Sequence, residues 1–445
     1  MSSAQLILAV LLVVALGLQA LLPRWRMLIV LGGAALSCLV TALLGVATTG
    51  AVFASVPWDV LTILISLGLF SELLVETRIF GLLALHSTQA SQANPHRVAL
   101  LFAVGMYLVS GLVNNLTAIL FVLPALLILF KLLGVDQRYV SWTLGTILVA
   151  CNLGGAATPI GDFPAILLLG RGKMTFDAYL RAAAPPTAVA LVVLLFVVTV
   201  VVRPTRNLPR DPLAARLSLS VMAALYRNVR VDRGLLWPAL GVLVVMLLSW
   251  ALLPARYGVG PELVAWIGAG AALLLRPSIG ERLIRRRVDI EAALFLLALF
   301  VMVGAVSKSG LFAALARTLL DLPLPAIGQL IVFLLLGGIL TGLFSAGPSM
   351  AALLEVAESL ARSLPPNAVY VGLALSVCAG SSLFLTAATS GPMMQALTER
   401  AALRDAEGTE LRFGFFEFVP TGLLAFSIIQ TVGIAYALLV CILLG

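Results

Sequence analysis

Twelve long apolar stretches follow one another along this 445-residue chain, separated only by short linkers. A helix needs about 20 apolar residues to cross a bilayer, so the chain supplies roughly ten spans and leaves nothing for a large soluble domain. Soluble domains are about half apolar and about a quarter charged. Here 61% of the residues are hydrophobic and 11% charged, with a mean hydropathy of +1.12. Backbone polar groups must be satisfied internally in lipid, and no period-two strands of barrel type recur, so the expected class is an all-α polytopic membrane protein. The run from Gln5 to Leu22 has no basic residue before it and no small-residue cleavage pattern after it. It reads as a first spanning helix rather than a cleaved signal.

Charge sets the orientation. The net charge is +8, but the basic residues sit in short loops between apolar runs and act as cytoplasmic anchors, not as a nucleic-acid surface. One loop carries Arg203, Arg206, Arg210, Arg216, Arg227, Arg230 and Arg233, and a second carries Arg276, Arg282, Arg285, Arg286 and Arg287. Two apolar spans separate these loops, so both face one side, the cytoplasm, and Arg24 and Arg26 fit the same side. The expected location is the inner (cytoplasmic) membrane, crossed many times. Cys38, Cys151, Cys378 and Cys441 are far apart and inside apolar runs, and His86 and His96 are the only histidines. That pattern points to neither a disulfide framework nor a zinc site, and no cofactor is expected.

The chain also repeats itself. Trp58-Asp59-Val60 leads to Leu69-Phe70 as Val288-Asp289-Ile290 leads to Leu299-Phe300, at an offset of 230 residues. Ser110-Gly111-Leu112-Val113-Asn114-Asn115 then corresponds to Thr341-Gly342-Leu343-Phe344-Ser345-Ala346, and the segment from Cys151 to the one from Cys378. The division is residues 1–202 as a first repeat, 203–233 as a basic cytoplasmic linker and 234–445 as a second repeat. With the arginine loops inside, the Asp59 helix starts outside and the Asp289 helix starts inside, so the two repeats have inverted topology. Inverted repeats are the usual build of secondary transporters, with the binding site near the midplane between them.

Each half holds two interruptions that a simple span would avoid. The stretch Val98 to Phe130 is too long for one span and is polar at its centre, Asn114-Asn115-Leu116-Thr117, as expected of a re-entrant hairpin. The next stretch, Cys151-Asn152-Leu153-Gly154-Gly155-Ala156-Ala157-Thr158-Pro159-Ile160-Gly161-Asp162-Phe163-Pro164, holds three glycines, two prolines and an aspartate, which predict a broken helix. In the second half the hairpin tip is Ser345-Ala346-Gly347-Pro348-Ser349, and the break runs from Cys378 to Pro392 with Ser381, Ser382, Thr386, Thr389 and Ser390. Asp162 is the only carboxylate in the four interruptions. Half-helix N-termini offer N–H groups to anions, while freed carbonyls and Asn or Thr oxygens suit sodium. The candidate cation site takes Asn114, Asn115, Thr117 and the backbone around Asn152 to Thr158, with Asp162 beside it to tune the site or carry a proton. The expected substrate contacts are Asn115, Gly155, Ser345, Ser349, Ser381, Ser382, Thr386 and Thr389.

The segment from Gly154 to Pro164 resembles the signature loop of the ion-transporter superfamily that includes arsenite permeases, sodium–proton antiporters of the NhaD kind and divalent-anion or citrate sodium symporters. The tip Asn114-Asn115-Leu116-Thr117 is similar to the Asp-Asn and Ser-Asn-Thr tips of that group. The resemblance implies paired hairpins, a dimerising scaffold and hence a homodimer, an elevator-like moving domain, and a sodium-type site on Asn114, Asn115, Thr117, Asn152, Thr158 and Gly161. This chain departs from the pattern in having Asn114 where the antiporters carry Asp, and Ser345 and Ala346 where a second Asn is usual.

Blander readings stand beside these. The glycines suit a tight helix crossing. Asp59 and Asp289 suit helix starts, and Glu72 with Glu76 suits an ion-paired interfacial face. The functional expectation is a secondary transporter for a small inorganic or carboxylate anion, coupled to sodium or protons, with a sodium–proton antiporter and an arsenite-type efflux permease as alternatives. An accessory ATPase subunit is compatible with the last. The sequence carries no HExxH, GxSxG or phosphate-binding loop, so an enzyme is not expected.

Overall fold

Local capping chemistry sets where the helices begin. Asn94 accepts from the His96 amide ahead of a helix that opens with Pro95, Asp136 accepts from the Tyr139 amide at 2.7 Å, and Thr175 accepts from the Ala178 amide. The computed structural model describes residues 3–22, 25–206, 208, 220–221, 230–252, 259–286, 290–388, 390–405 and 407–444. Arg24, most of the 203–233 linker, Arg287, Asp289 and Thr389 lie outside the described residues.

The described residues form helices and one isolated bridge, Arg404 to Glu410. The first half comprises α1 (Ser3–Leu21), α2 (Arg26–Leu43), α3 (Thr49–Phe53), α4 (Trp58–Glu76), α5 (Ile79–Ser91), α6 (Pro95–Ser110), α7 (Asn115–Leu133), α8 (Gln137–Ala157), α9 (Phe163–Gly170) and α10 (Phe176–Phe196), the last continued as a π-helical turn over Val197–Val202. The second comprises α11 (Arg233–Leu252), α12 (Pro261–Leu274), α13 (Pro277–Arg286), α14 (Ile290–Lys308), α15 (Leu311–Leu320), α16 (Ala326–Phe344), α17 (Ala346–Leu360), α18 (Pro366–Ser381), α19 (Gly391–Ala401) and α20 (Phe415–Leu444). Among them, seven helices are long and apolar enough to cross a membrane, or eight if α14 and α15, bent by 65° at their junction, make one span.

Packing follows one pattern twice. Helix α2 packs on α14 as α12 packs on α4, α6 on α8 as α16 on α18, α8 on α10 as α18 on α20, and α7 on α19 as α17 on α9. Each relation holds after ten is added to every label, or taken from it. The described ends of the two arginine loops also meet. Arg276 pairs with Asp232, whose amide donates to the Thr77 carbonyl, and Arg282 pairs with Glu76 at 2.8 Å. The end of α4, the start of α11 and helix α13 therefore share one face of the molecule.

Small residues let neighbouring helices within each half cross closely. A Cβ on Gly154 would collide with the Tyr107 backbone of α6, and one on Gly380 would collide with the Gly338 carbonyl of α16. The close-packing reading of the glycines thus holds for these two, at equivalent crossings. The first break is narrower than the expected window. Helix α8 stays regular through Ala157, so Cys151, Asn152, Gly154 and Gly155 are helical, and the chain is non-helical only over residues 158–162. In the second half Ser381 ends α18 and the non-helical stretch begins at Ser382. The tip between α16 and α17 is Ser345 alone, at φ 77°, a left-handed backbone that a residue with a Cβ adopts at a cost.

Candidate functional site

Asn114 and Asp162 each stand at the start of a helix, α7 and α9, and cap it. The Leu116 amide donates to Asn114 Oδ1 at 2.9 Å, and the Phe163 amide donates to Asp162 Oδ1 at 2.8 Å. Both side chains thus place acceptor oxygen at helix N-termini that would otherwise carry partial positive charge. In the second half, Ser345 ahead of α17 and Ser390 ahead of α19 make no side-chain cap, so those N-terminal amides lack this local acceptor.

All four of these helix starts reach one cavity of about 410 Å³. Its lining includes residues 114–117 at the first tip, 160–163 at the first break, 345–347 at the second tip, and 386–388 with Pro392 at the second break. Helix α4 adds Ser71 and Glu72, α14 adds Leu296, and α1 adds Gln19, whose Nε2 donates to the Phe344 carbonyl at 3.3 Å. No Lys, Arg or His is among the described lining residues.

Asn115 is almost fully buried at the tip. The Ser110 hydroxyl lies between Asn115 Oδ1 and the Cys151 carbonyl, 2.7 Å from the latter, and its one hydrogen serves either. Asn115 Nδ2 faces the Asp162 carboxyl without a hydrogen bond of normal length. The Cβ that Gly155 lacks would press on this amide and on the Asp162 side chain, so that glycine lets the tip and the break approach. Thr158 is held in place as its hydroxyl donates to the Gly111 carbonyl at 2.6 Å.

The expected site residues divide into two groups. Asn114, Asn115, Thr117, Gly161, Asp162, Ser345 and Thr386 line the cavity. Asn152, Gly155, Thr158, Ser349, Ser381 and Ser382 do not contribute to that lining. Asn152 instead reaches across the molecule, its Nδ2 donating to Ser382 Oγ at 3.1 Å and to the Ser381 carbonyl at 3.3 Å, while Ser381 back-bonds to the Cys378 carbonyl. These groups tie the two breaks together. The buried Ser349 hydroxyl makes no hydrogen bond, and the Ser390 hydroxyl lies within reach of the Cys151 sulfur.

Polar lining residues missed in the sequence are Gln19, Ser71 and Glu72. Glu76 joins the expected ion-paired face through Arg282, but Glu72, a turn earlier, lines the cavity. The signal was its place inside an apolar helix, a turn deeper than the interfacial pair, where a carboxylate marks a functional position.

The chain is similar to several membrane transporters. The chain is 30% identical over 371 residues to "Uncharacterized transporter Rv2685" of Mycobacterium tuberculosis (strain ATCC 25618 / H37Rv), covering 82% of each chain. It is 25% identical over 296 residues to "Sodium/proton antiporter 1" of Arabidopsis thaliana, covering 63% of this chain and 47% of that one. In fold it resembles the YdaH transporter of Alcanivorax borkumensis, with a TM-score of 0.55 at 16% identity over 95% of this chain and 97% of that one. A family model described as citrate transporter, CitMHS, matches residues 6–380, and the chain belongs to that family of membrane transporters.

Proposed function

We propose that the protein is a secondary active transporter that moves a small carboxylate or inorganic anion, coupled to sodium ions or protons. The observation that carries this reading is the convergence of four helix N-termini on one cavity, capped by acceptor oxygens in the first half and uncapped in the second. Uncapped amides at α17 and α19 favour an anion, with Thr386 and Ser345 beside them. The oxygen-rich first half, with Asn114, Thr117 and Asp162, favours a cation. Asn115 sets its Nδ2 against the Asp162 carboxyl and so fixes the tip to the break. With no basic side chain in the described lining, positive charge for the anion comes from the helix ends and from a cation that enters with it. The family's description makes a tricarboxylate the first substrate to test.

The same geometry supports inverted repeats. The helices α4 and α14, equivalent in the repeated packing, run in opposite directions past the cavity, since α4 contributes its later residues and α14 its earlier ones. The arginine-rich face at the end of α4 is then the cytoplasmic one.

Uptake into proteoliposomes tests the proposal. Accumulation of citrate or another carboxylate or oxyanion should follow an imposed sodium or pH gradient. Indifference of every tested anion to both gradients would overturn it. A second reading, sodium–proton antiport, draws on Asp162 as a lone titratable group at a broken helix and on the name of the Arabidopsis relative. It requires exchange without any anion. An Asp162→Asn protein that kept full pH-coupled sodium exchange would eliminate it.

A further inference from the structure

A second cavity, of about 630 Å³, lies between the same helices as the first. Its lining takes Asp59 from α4, Leu167 and Gly170 from α9, Phe300, Val303, Gly304 and Ser307 from α14, and Ala351, Leu354 and Glu355 from α17. The first cavity takes Leu64–Glu72, Phe163 and Ile166, Phe295 and Leu296, and Ala346 and Gly347 from those four helices. Along each helix the residues facing one cavity give way, once and in order, to residues facing the other. The cavities are therefore stacked end to end.

The layer between them is thin and mostly apolar. Leu296 and Phe300 are one turn apart on α14, as are Gly347 and Ala351 on α17, so the layer spans about 6 Å. Buried apolar side chains dominate that level, Val60 and Ile63 of α4, Leu299 and Phe300 of α14 and Met350 of α17, with the buried Ser349 hydroxyl of α17 among them. Phe163, at the start of α9, packs against Phe300 with ring centroids 5.9 Å apart. This contact joins a residue of the first break to a helix on the opposite wall.

We propose that the two cavities are opposite mouths of one path and that the Phe163–Phe300 contact is the plug that separates them. The conformation seen here is then open on the Glu72 side and sealed from the Asp59 side. This inference rests on the transporter reading, but not on which anion or coupling ion is used.

The test is made on the full chain in vesicles of uniform orientation, with a membrane-impermeant maleimide. All four native cysteines are buried, which keeps background labelling low. Ser307→Cys, in the second cavity, should label from one face of the membrane, and Thr386→Cys, in the first, from the other. In a Phe300→Ala background each cysteine should label from both faces at least several-fold faster than from its closed face before. The substrate-free decay of an imposed pH gradient should rise by a similar factor, while Phe300→Met should restore the barrier. Labelling of both cysteines from a single face with Phe300 in place would overturn the proposal. So would a folded Phe300→Ala protein with unchanged labelling and leak. Neither readout requires transport of a known substrate, so failure here is distinct from failure of the transport assay.

Discussion

Asn152 shows how one side chain can serve a role its type does not announce. An amide in a glycine-rich segment reads in sequence as a ligand, yet its Nδ2 bridges to Ser382 and the Ser381 carbonyl in the other half of the molecule. Replacing it with alanine leaves those buried acceptors without their donor, at a cost of about 1–3 kcal/mol. The expected outcome for Asn152→Ala is a clearly lowered melting temperature in detergent; an unchanged one would mean the bridge contributes nothing. Asn114 and Asp162 could be singled out from sequence because a polar residue deep in an apolar stretch is costly without a role. Only its deeper place in the apolar run set Glu72 apart from Glu76, since spacing alone puts both on one helix face.

At the scale of elements, the broken helices and hairpins were legible because glycine, proline and polar residues interrupt apolar runs where the backbone then needs other partners. Their extents were not. Composition placed the first break from Cys151, whereas α8 continues to Ala157, because glycines packed against a neighbouring backbone do not unwind a helix. Gly154 and Gly380 sit at equivalent crossings, each against a carbonyl-bearing backbone of the adjacent hairpin arm. Alanine at either position should cost about 1–3 kcal/mol through overpacking and spread α6 from α8 or α16 from α18. A melting temperature equal to that of the parent for both variants would show that the crossings are looser than drawn.

For the whole molecule, the convergence of four helix starts makes ligand binding a property of both halves together. A ligand that binds only the folded state raises its melting temperature. A carboxylate such as citrate should therefore stabilise the protein more when sodium or a lower pH supplies the accompanying positive charge, and additive, independent shifts would argue against a shared cavity. The sequence by itself determined that this chain is helical and belongs in a membrane, and that its interruptions recur in one order, because hydropathy and helix-breaking chemistry are local properties. Only the tertiary structure decided which polar groups face a common space and which are used up tying the halves together. Those outcomes depend on distances between residues some 230 positions apart, such as Asn152 and Ser382, and packing at that range is set by the fit of whole helices rather than by any one residue's type.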